Sequence, residues 1–292
     1  MQRFLLLLRF EIKKVMARKK AVLFLLALNV VPILAGFLAM LLFMKFKTLG
    51  IGQLQYSILS EAIRGLFTAH LKLFAWISPF FLALVIGDSI SGESARGHLK
   101  TLLLTPVSRF QVLVAKSMAV MLFLLAAVTV GGLFLQASLI VARFIGESPD
   151  IIRDVTEGSA KLIGTTIALK LLGIAFVANL SMVTFFTLFA LFAESAILMT
   201  FTGLIVLMAL ETFVLMAPTL GQFDPVYLKI AEWCFTRHPS KLFEVTTLHG
   251  IMDGTLSLTS DPVGPALIGS LAWAALFFTL SVFFFRRKPI LN

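Results

Sequence analysis

The chain has 292 residues, of which 59% are hydrophobic and 14% charged, more apolar surface than a soluble globule can bury. Twenty-nine Phe against two Tyr and three Trp point to side chains facing lipid, where a phenolic hydroxyl lacks partners, and the single Cys234 excludes an internal disulfide framework. The net charge of +10 would suit a nucleic-acid binder, but Lys and Arg gather at the ends of long apolar runs rather than along one face, so the partner is a bilayer and not nucleic acid.

Residues 1–20 precede the first apolar run. Leu5, Leu8, Ile12, Val15 and Met16 recur at helical spacing while Arg9, Lys13, Lys14 and Arg18 take another face. This predicts an amphipathic helix in the membrane interface, with its bases towards anionic headgroups. A bilayer core about 30 Å thick needs roughly 20 helical residues, and six candidate spans follow at about 21–44, 71–91, 110–142, 162–193, 196–217 and 263–285. The first of them reads as a span rather than a signal peptide, because it is too long and no small-x-small site follows before Lys45. The expected class is therefore an all-α membrane protein, one transmembrane domain over 1–292. Bases concentrate before the first span, between the second and third, and after the sixth, which predicts that both termini are cytoplasmic.

The connection after span two, 91–109, is where partner chemistry is expected. Leu99, Leu102 and Leu103 form a short apolar face flanked by Arg96 and Lys100, on a segment too polar to cross a membrane. Such a face fits docking on a partner; the alternative is a solvated loop that only reverses the chain. Thr105-Pro106 stops that helix, and Ser108 with Gln111 forms a capping box that opens span three. Gly92 and Gly97 have the spacing of a phosphate-binding loop, but His98 stands where that motif needs Lys. Nucleotide binding by this chain is not expected.

Spans four and five are separated by Glu194 and Ser195. Asn179, Ser181, Thr184 and Thr187 in span four can serve either interhelical hydrogen bonds or substrate contact. Lys170 and Glu211 are the charges within these two spans, and a charge at mid-bilayer is costly. Counted from Glu194 at about 1.5 Å per residue they lie roughly 36 and 26 Å away, near the outer interface. Snorkelling accounts for Lys170, and Glu211 joins Asn179 and Thr184 as a pathway candidate.

The segment 218–262 carries two helix-start signals, Asp224-Pro225 and Asp261-Pro262, and a helix-end signal at His249-Gly250. It reads as short outer helices dipping towards the membrane over the mouth of a pathway, with Tyr227 and Trp233 at headgroup level; an ordinary surface loop is the alternative. Cys234 with His238, and His249 with Asp253, are four apart, but Pro239 is expected to break the helix aligning the first pair, so no metal site is assigned. No metalloprotease helix motif or Gly-x-Ser-x-Gly elbow is present, and no catalytic residue is assigned.

Taken together, these residues resemble the membrane subunits of type-2 ABC exporters, over essentially the whole chain. The most specific stretch is Asp88 to Lys116: Ser91-Gly92-Glu93, Gly97-His98-Leu99, Leu102-Leu103-Leu104, Thr105-Pro106-Val107-Ser108-Arg109 and Ala115-Lys116 look like the family's Gly-Glu, Gly-Thr-Leu, Leu-Leu, Pro-Val-Ser-Arg and Gly-Lys positions. His98 and Ala115 depart from the usual Thr and Gly. The run from Asp88 to Glu93 is also similar to the permeases serving copper-centre maturation of nitrous oxide reductase. The resemblance implies that 91–109 holds a coupling helix seated in a cleft of a separate ATPase. It implies coupling roles for Gly92, Glu93, Arg96, Gly97, His98, Leu99, Lys100, Leu102, Leu103, Pro106, Arg109 and Glu194, with ATP and Mg bound by that ATPase. A second permease subunit would complete the pathway in the plasma membrane. A secondary transporter driven by an ion gradient is the rival reading.

Overall fold

A computed structural model describes residues 2–47, 52–98, 102, 107–145, 165–248 and 263–287. Among these residues all regular structure is helical: α1 Gln2–Met16, α2 Lys19–Lys47, α3 Gly52–Gly87, a π-helical turn Asp88–Gly92, α4 Glu93–Ala95, α5 Arg109–Ile145, α6 Thr165–Phe192, α7 Ala196–Leu220, α8 Val226–Trp233, α9 Arg237–Leu248 and α10 Val263–Arg287. Six of them, α2, α3, α5, α6, α7 and α10, are long and apolar enough to cross a membrane, as a multi-pass membrane protein requires.

The helices outrun the apolar windows that announce them. α3 begins at Gly52, well before the span start expected at 71, and its 36 residues reach about 54 Å. Gln53, Gln55, Glu61 and Arg64 end the apolar run, yet they satisfy a helical backbone as well as leucine does. Similarly, α2 runs to Lys47 and α5 to Ile145, while α6 starts at Thr165.

Helix ends follow local chemistry. The reciprocal bonds expected at the start of α5 are present: Ser108 N–H donates to Gln111 Oε1 at 3.1 Å, and Gln111 N–H donates to Ser108 Oγ at 3.1 Å. Ser195, extended at φ −137°, accepts from Leu198 N–H at 3.2 Å and starts α7. Asp224 Oδ1 accepts from Val226 N–H at 2.8 Å and opens α8, with Pro225 already in helical conformation. Gly97, at φ +74°, closes the turn after α4 in the left-handed region where a side chain would be strained. Asp261-Pro262 and His249-Gly250 lie outside the described residues.

α5 and α6 form the centre, with 67% and 72% of their apolar windows buried, whereas α7 and α10 are peripheral at 22% and 17%. α10 packs along α6, α2 along α3 and α5, and α7 chiefly along α3 rather than its chain neighbour α6. Phe24, Phe81 and Phe123 join α2, α3 and α5, with the Phe24 and Phe81 rings stacked at 4.1 Å. Phe185, Phe235, Trp273 and Phe277 fill the contact between α6, α10 and the α8–α9 link. α1 packs on α5 and buries Leu7, Glu11 and Val15. Leu5, Leu6, Phe10 and Met16 are exposed on the outside of the bundle.

Candidate functional site

The strongest polar constellation lies where α3 leaves the bundle. A π turn admits one extra residue into the helix, and Ser89 through Glu93 are all buried there. Glu93 Oε1 is paired with Lys14 and with Arg18 Nη2 at 3.4 Å, while its Oε2 takes Lys116 Nζ at 2.7 Å. Lys116 Nζ also donates to Glu11 Oε1 at 2.9 Å. Arg18 Nη1 donates to the Val85 carbonyl at 2.9 Å, and Lys20 pairs with Asp88 at 2.7 Å nearby. One acid–base cluster thereby ties α1, the α1–α2 corner, the end of α3 and the first turns of α5.

Buried charges of this kind add little net stability, since desolvation cancels most of the attraction, but an unpaired survivor is expensive. The consequence is mechanical. The elements must keep this mutual position or expose the charges together.

The other side of the same exit rests on the α6–α7 turn. Ser91 Oγ donates to the Ala190 carbonyl at 2.8 Å, and Thr200 Oγ1 donates to the Ala83 carbonyl at 3.3 Å. A Cβ on Gly87 would stand 3.1 Å from the Ala196 carbonyl oxygen and 3.0 Å from Met199 sulfur, so the bare Cα is what lets α7 approach. Gly92 meets Ala196 in the same way, at 3.4 Å.

Of the coupling residues expected from sequence, Gly92 and Glu93 are thus built into the junction. Arg96 is exposed and donates from Nε to the Gly92 carbonyl at 3.0 Å. His98 and Glu194 are exposed, and Leu102 is half-buried against the core. Arg109 Nη1 donates to the carbonyls of Phe285 and Arg286 at 3.0 and 3.1 Å, closing the C-terminal end of α10. Leu99, Lys100, Leu103 and Pro106 lie outside the described residues, and most of the expected coupling helix with them.

The pathway candidates make separate hydrogen bonds. Asn179 Nδ2 donates to Ala175 O at 2.8 Å, Ser181 Oγ to Ala178 O at 3.0 Å, and Thr184 Oγ1 to Leu180 O and Ser181 O at 3.0 Å, all within α6. Thr187, the fourth residue expected to bond between helices, does so: its Oγ1 lies 3.3 Å from Ser117 Oγ of α5. Asn179 also borders a small apolar cavity with Phe74, Leu124 and Val128. Glu211 is elsewhere, accepting from Ser240 Oγ of α9 at 3.2 Å, and Lys170 is half-exposed.

α9 packs against α3, α6 and α10. Pro239 does not break it, because Pro239 falls in the first turn, where no helical N–H is lost. His238 fits over Gly269, where a Cβ would stand 2.5 Å from the ring. Burial holds the His238 imidazole below its usual 6.5, and the Lys241 and Arg237 charges push the same way. Cys234 Sγ lies 3.4 Å from Thr236 Oγ1. Among the described residues no three His, Cys, Asp or Glu side chains gather to hold a metal ion; His249 and Asp253 lie outside them.

Comparison with protein-family models and with curated proteins finds no match.

Sequence reading missed Glu11, which it left out of the α1 pattern, and the role of Lys14 and Arg18, which it turned towards lipid. The available signal was an acid at helical spacing from Leu7 and Val15, facing a Lys in the first turns of another helix. Asn29, His70 and Gly131 were missed as well.

Proposed function

We propose that the chain is the transmembrane subunit of an ATP-driven exporter, moved by a separate ATPase that grips its α3–α5 connection. The observation that supports this reading best is the Glu93–Lys116 junction. It joins α1, α3 and α5 by buried ion pairs and rests on the α6–α7 turn, so a force applied to the exposed Arg96–His98 stretch or to Glu194 is transmitted to most of the bundle. Coupling of two states needs such a stiff element with different contacts in each. The sequence resemblance supplies the partner: ATP and Mg belong to the ATPase, and this chain performs no hydrolysis.

In this reading α1 lies in the cytoplasmic interface, both termini are cytoplasmic, and the membrane is the plasma membrane. Six spans enclose little space, and a second permease subunit, identical or similar, completes the route between halves. α8 and α9 cover its outer mouth.

The test is co-purification with a Walker-motif ATPase encoded beside the chain. Replacing Leu99, Leu102 and Leu103 by Asp is expected to abolish that association and cargo export while the purified chain stays folded. Retention of both by the triple variant, or ATP hydrolysis by this chain alone, overturns the reading. The rival, secondary transport driven by an ion gradient, draws support from one feature, a buried histidine in the bundle, and predicts undiminished flux when the ATPase is deleted.

A further inference from the structure

His70 and Asn29 meet over Gly131 inside the bundle, bonded to the Val128 and Ala127 carbonyls of α5. The charges of α9 have no such partners.

α8 and α9 form a hairpin that enters between the spans without crossing. At its tip, Cys234 to Thr236, the Phe235 ring stacks on Phe185 at 4.7 Å and meets Phe277 edge-on at 5.2 Å. Phe277 lies fourteen residues into α10, about 21 Å from its start. Irregular backbone is tolerated at that depth because Phe235 and Thr236 are buried in protein. α9 then climbs back. His238 sits over Gly269, six residues into α10 or about 9 Å from its start, and Ser240 bonds Glu211, nine residues before the end of α7. The end of α7 and the start of α10 both lie away from the α3 exit, since α7 begins against that exit and α10 finishes at Arg109.

Pro239 and Leu242 turn into the bundle, which leaves Arg237 and Lys241, one helical turn apart, on the outer face of α9. Both are half-buried, and among the described residues neither side chain has a hydrogen bond or ion pair. Glu211, on the flank, accepts from Ser240 and pairs with neither. The 25 residues of α10 reach about 37 Å against about 30 Å of hydrocarbon, so long side chains rooted at the Gly269 level end near the headgroup boundary. The other arm of the hairpin is apolar outward. Leu228 packs against Gly221 and Ala231 is buried, whereas Phe223, Val226, Ile230 and Trp233 are exposed. A cationic arm beside an apolar arm matches a molecule with an acidic head and hydrocarbon chains.

We propose that the α8–α9 hairpin binds an anionic lipid, its phosphate between Arg237 and Lys241 and its chains along the exposed face of α8. Arg237 supplies a planar fork for two phosphate oxygens, and Lys241 a point charge. A zwitterionic lipid carries its own ammonium beside its phosphate and gains less from the pair. The bound phosphate neutralises charge that no acid of the described residues takes up. The site stands whether or not an ATPase moves the chain.

The experiment uses the full-length chain in nanodiscs of phosphatidylcholine with a minority of phosphatidylglycerol, one lipid or the other carrying a diazirine beside its headgroup. After illumination the labelled peptides are located by mass spectrometry. The phosphatidylglycerol probe is expected to label the hairpin several-fold more than the phosphatidylcholine probe. Arg237→Gln with Lys241→Gln removes that preference while labelling of the basic α1 is unchanged, and the charge-keeping pair Arg237→Lys with Lys241→Arg retains it. Equal labelling of the hairpin by the two probes overturns the proposal, as does a preference that the Gln pair leaves intact. Loss of the preference on adding inorganic phosphate assigns the cations to a free anion and overturns it too.

Discussion

Lys116 Nζ and Glu93 Oε2 lie 2.7 Å apart, with only 2% and 3% of their side chains exposed, although one belongs to α5 and the other to the turn that leaves α3. Lys116 answers two acids, Glu93 and Glu11, so removing it strands negative charge on two elements at once. Lys116→Met is expected to cost about 3–5 kcal/mol, read as a fall in thermal unfolding temperature of the purified chain in nanodiscs. Lys20→Ala, which breaks the more exposed pair with Asp88, should cost about 0–1 kcal/mol. Equal losses in the two variants would show that the buried cluster is no structural tie.

Gly87 sets how near α7 comes to α3. Gly87→Ala places a methyl group 3.1 Å from the Ala196 backbone oxygen, which cannot swing aside, and 3.2 Å from Thr200 Oγ1. The expected cost is about 1–3 kcal/mol of overpacking. Gly173→Ala, with nothing within 4 Å of the added carbon, is the control and should be neutral or mildly stabilising in the same unfolding measurement. A tolerant Gly87 would place α7 further from α3 than described.

The two residues of the α6–α7 turn should separate stability from coupling. Ser195 caps α7, and Ser195→Ala is expected to cost about 1 kcal/mol. Glu194 is exposed, so Glu194→Gln should leave unfolding unchanged. On the exporter reading it weakens stimulation of the ATPase by the membrane subunit. Thermal scans beside ATPase assays of the assembled complex check both halves, and a Glu194→Gln complex with full stimulation removes that residue from the coupling set.

His238 gives the fold an acid limit outside the spans. Its imidazole is held below 6.5 by burial and by Lys241 and Arg237, so below 6.5 the unfolded chain binds the proton that the folded chain resists. The sign follows: the contribution is complete above 6.5 and is lost as pH falls through the depressed folded value. Unfolding temperature should drop as pH falls from 6.5 to that lowered value, and His238→Gln should flatten the drop. A wild-type curve that rises towards acid pH would contradict it.

Much of this architecture was legible in advance because its signals are local. Capping at Ser108–Gln111, the Ser195 start of α7 and the Asp224 cap each depend on a few adjacent residues whose hydrogen bonds close within one turn. The polar groups of α6 were read less well. Asn179, Ser181 and Thr184 look like cross-helix donors, but a carbonyl three or four residues back competes for each, and no one-dimensional pattern decides that contest. Glu11 was missed for a related reason: a helix stripe is read fully only when the surface it meets is known, and α1 turns Glu11 inward to reach Lys116.

The order of residues alone determined the six apolar helices, since about 20 uncharged positions satisfy a lipid core whatever lies beside them. It also determined where α5, α7 and α8 start, through Ser108, the Glu194–Ser195 turn and Asp224-Pro225. Tertiary structure decided that α7 lies on α3, that Glu11, Lys14 and Arg18 serve an internal cluster, and that His70 meets Asn29 beside Gly131. Those outcomes depend on charges and carbonyls tens of residues apart arriving within about 3 Å of each other, the range in which hydrogen bonding acts, and such distances exist only once the helices have packed.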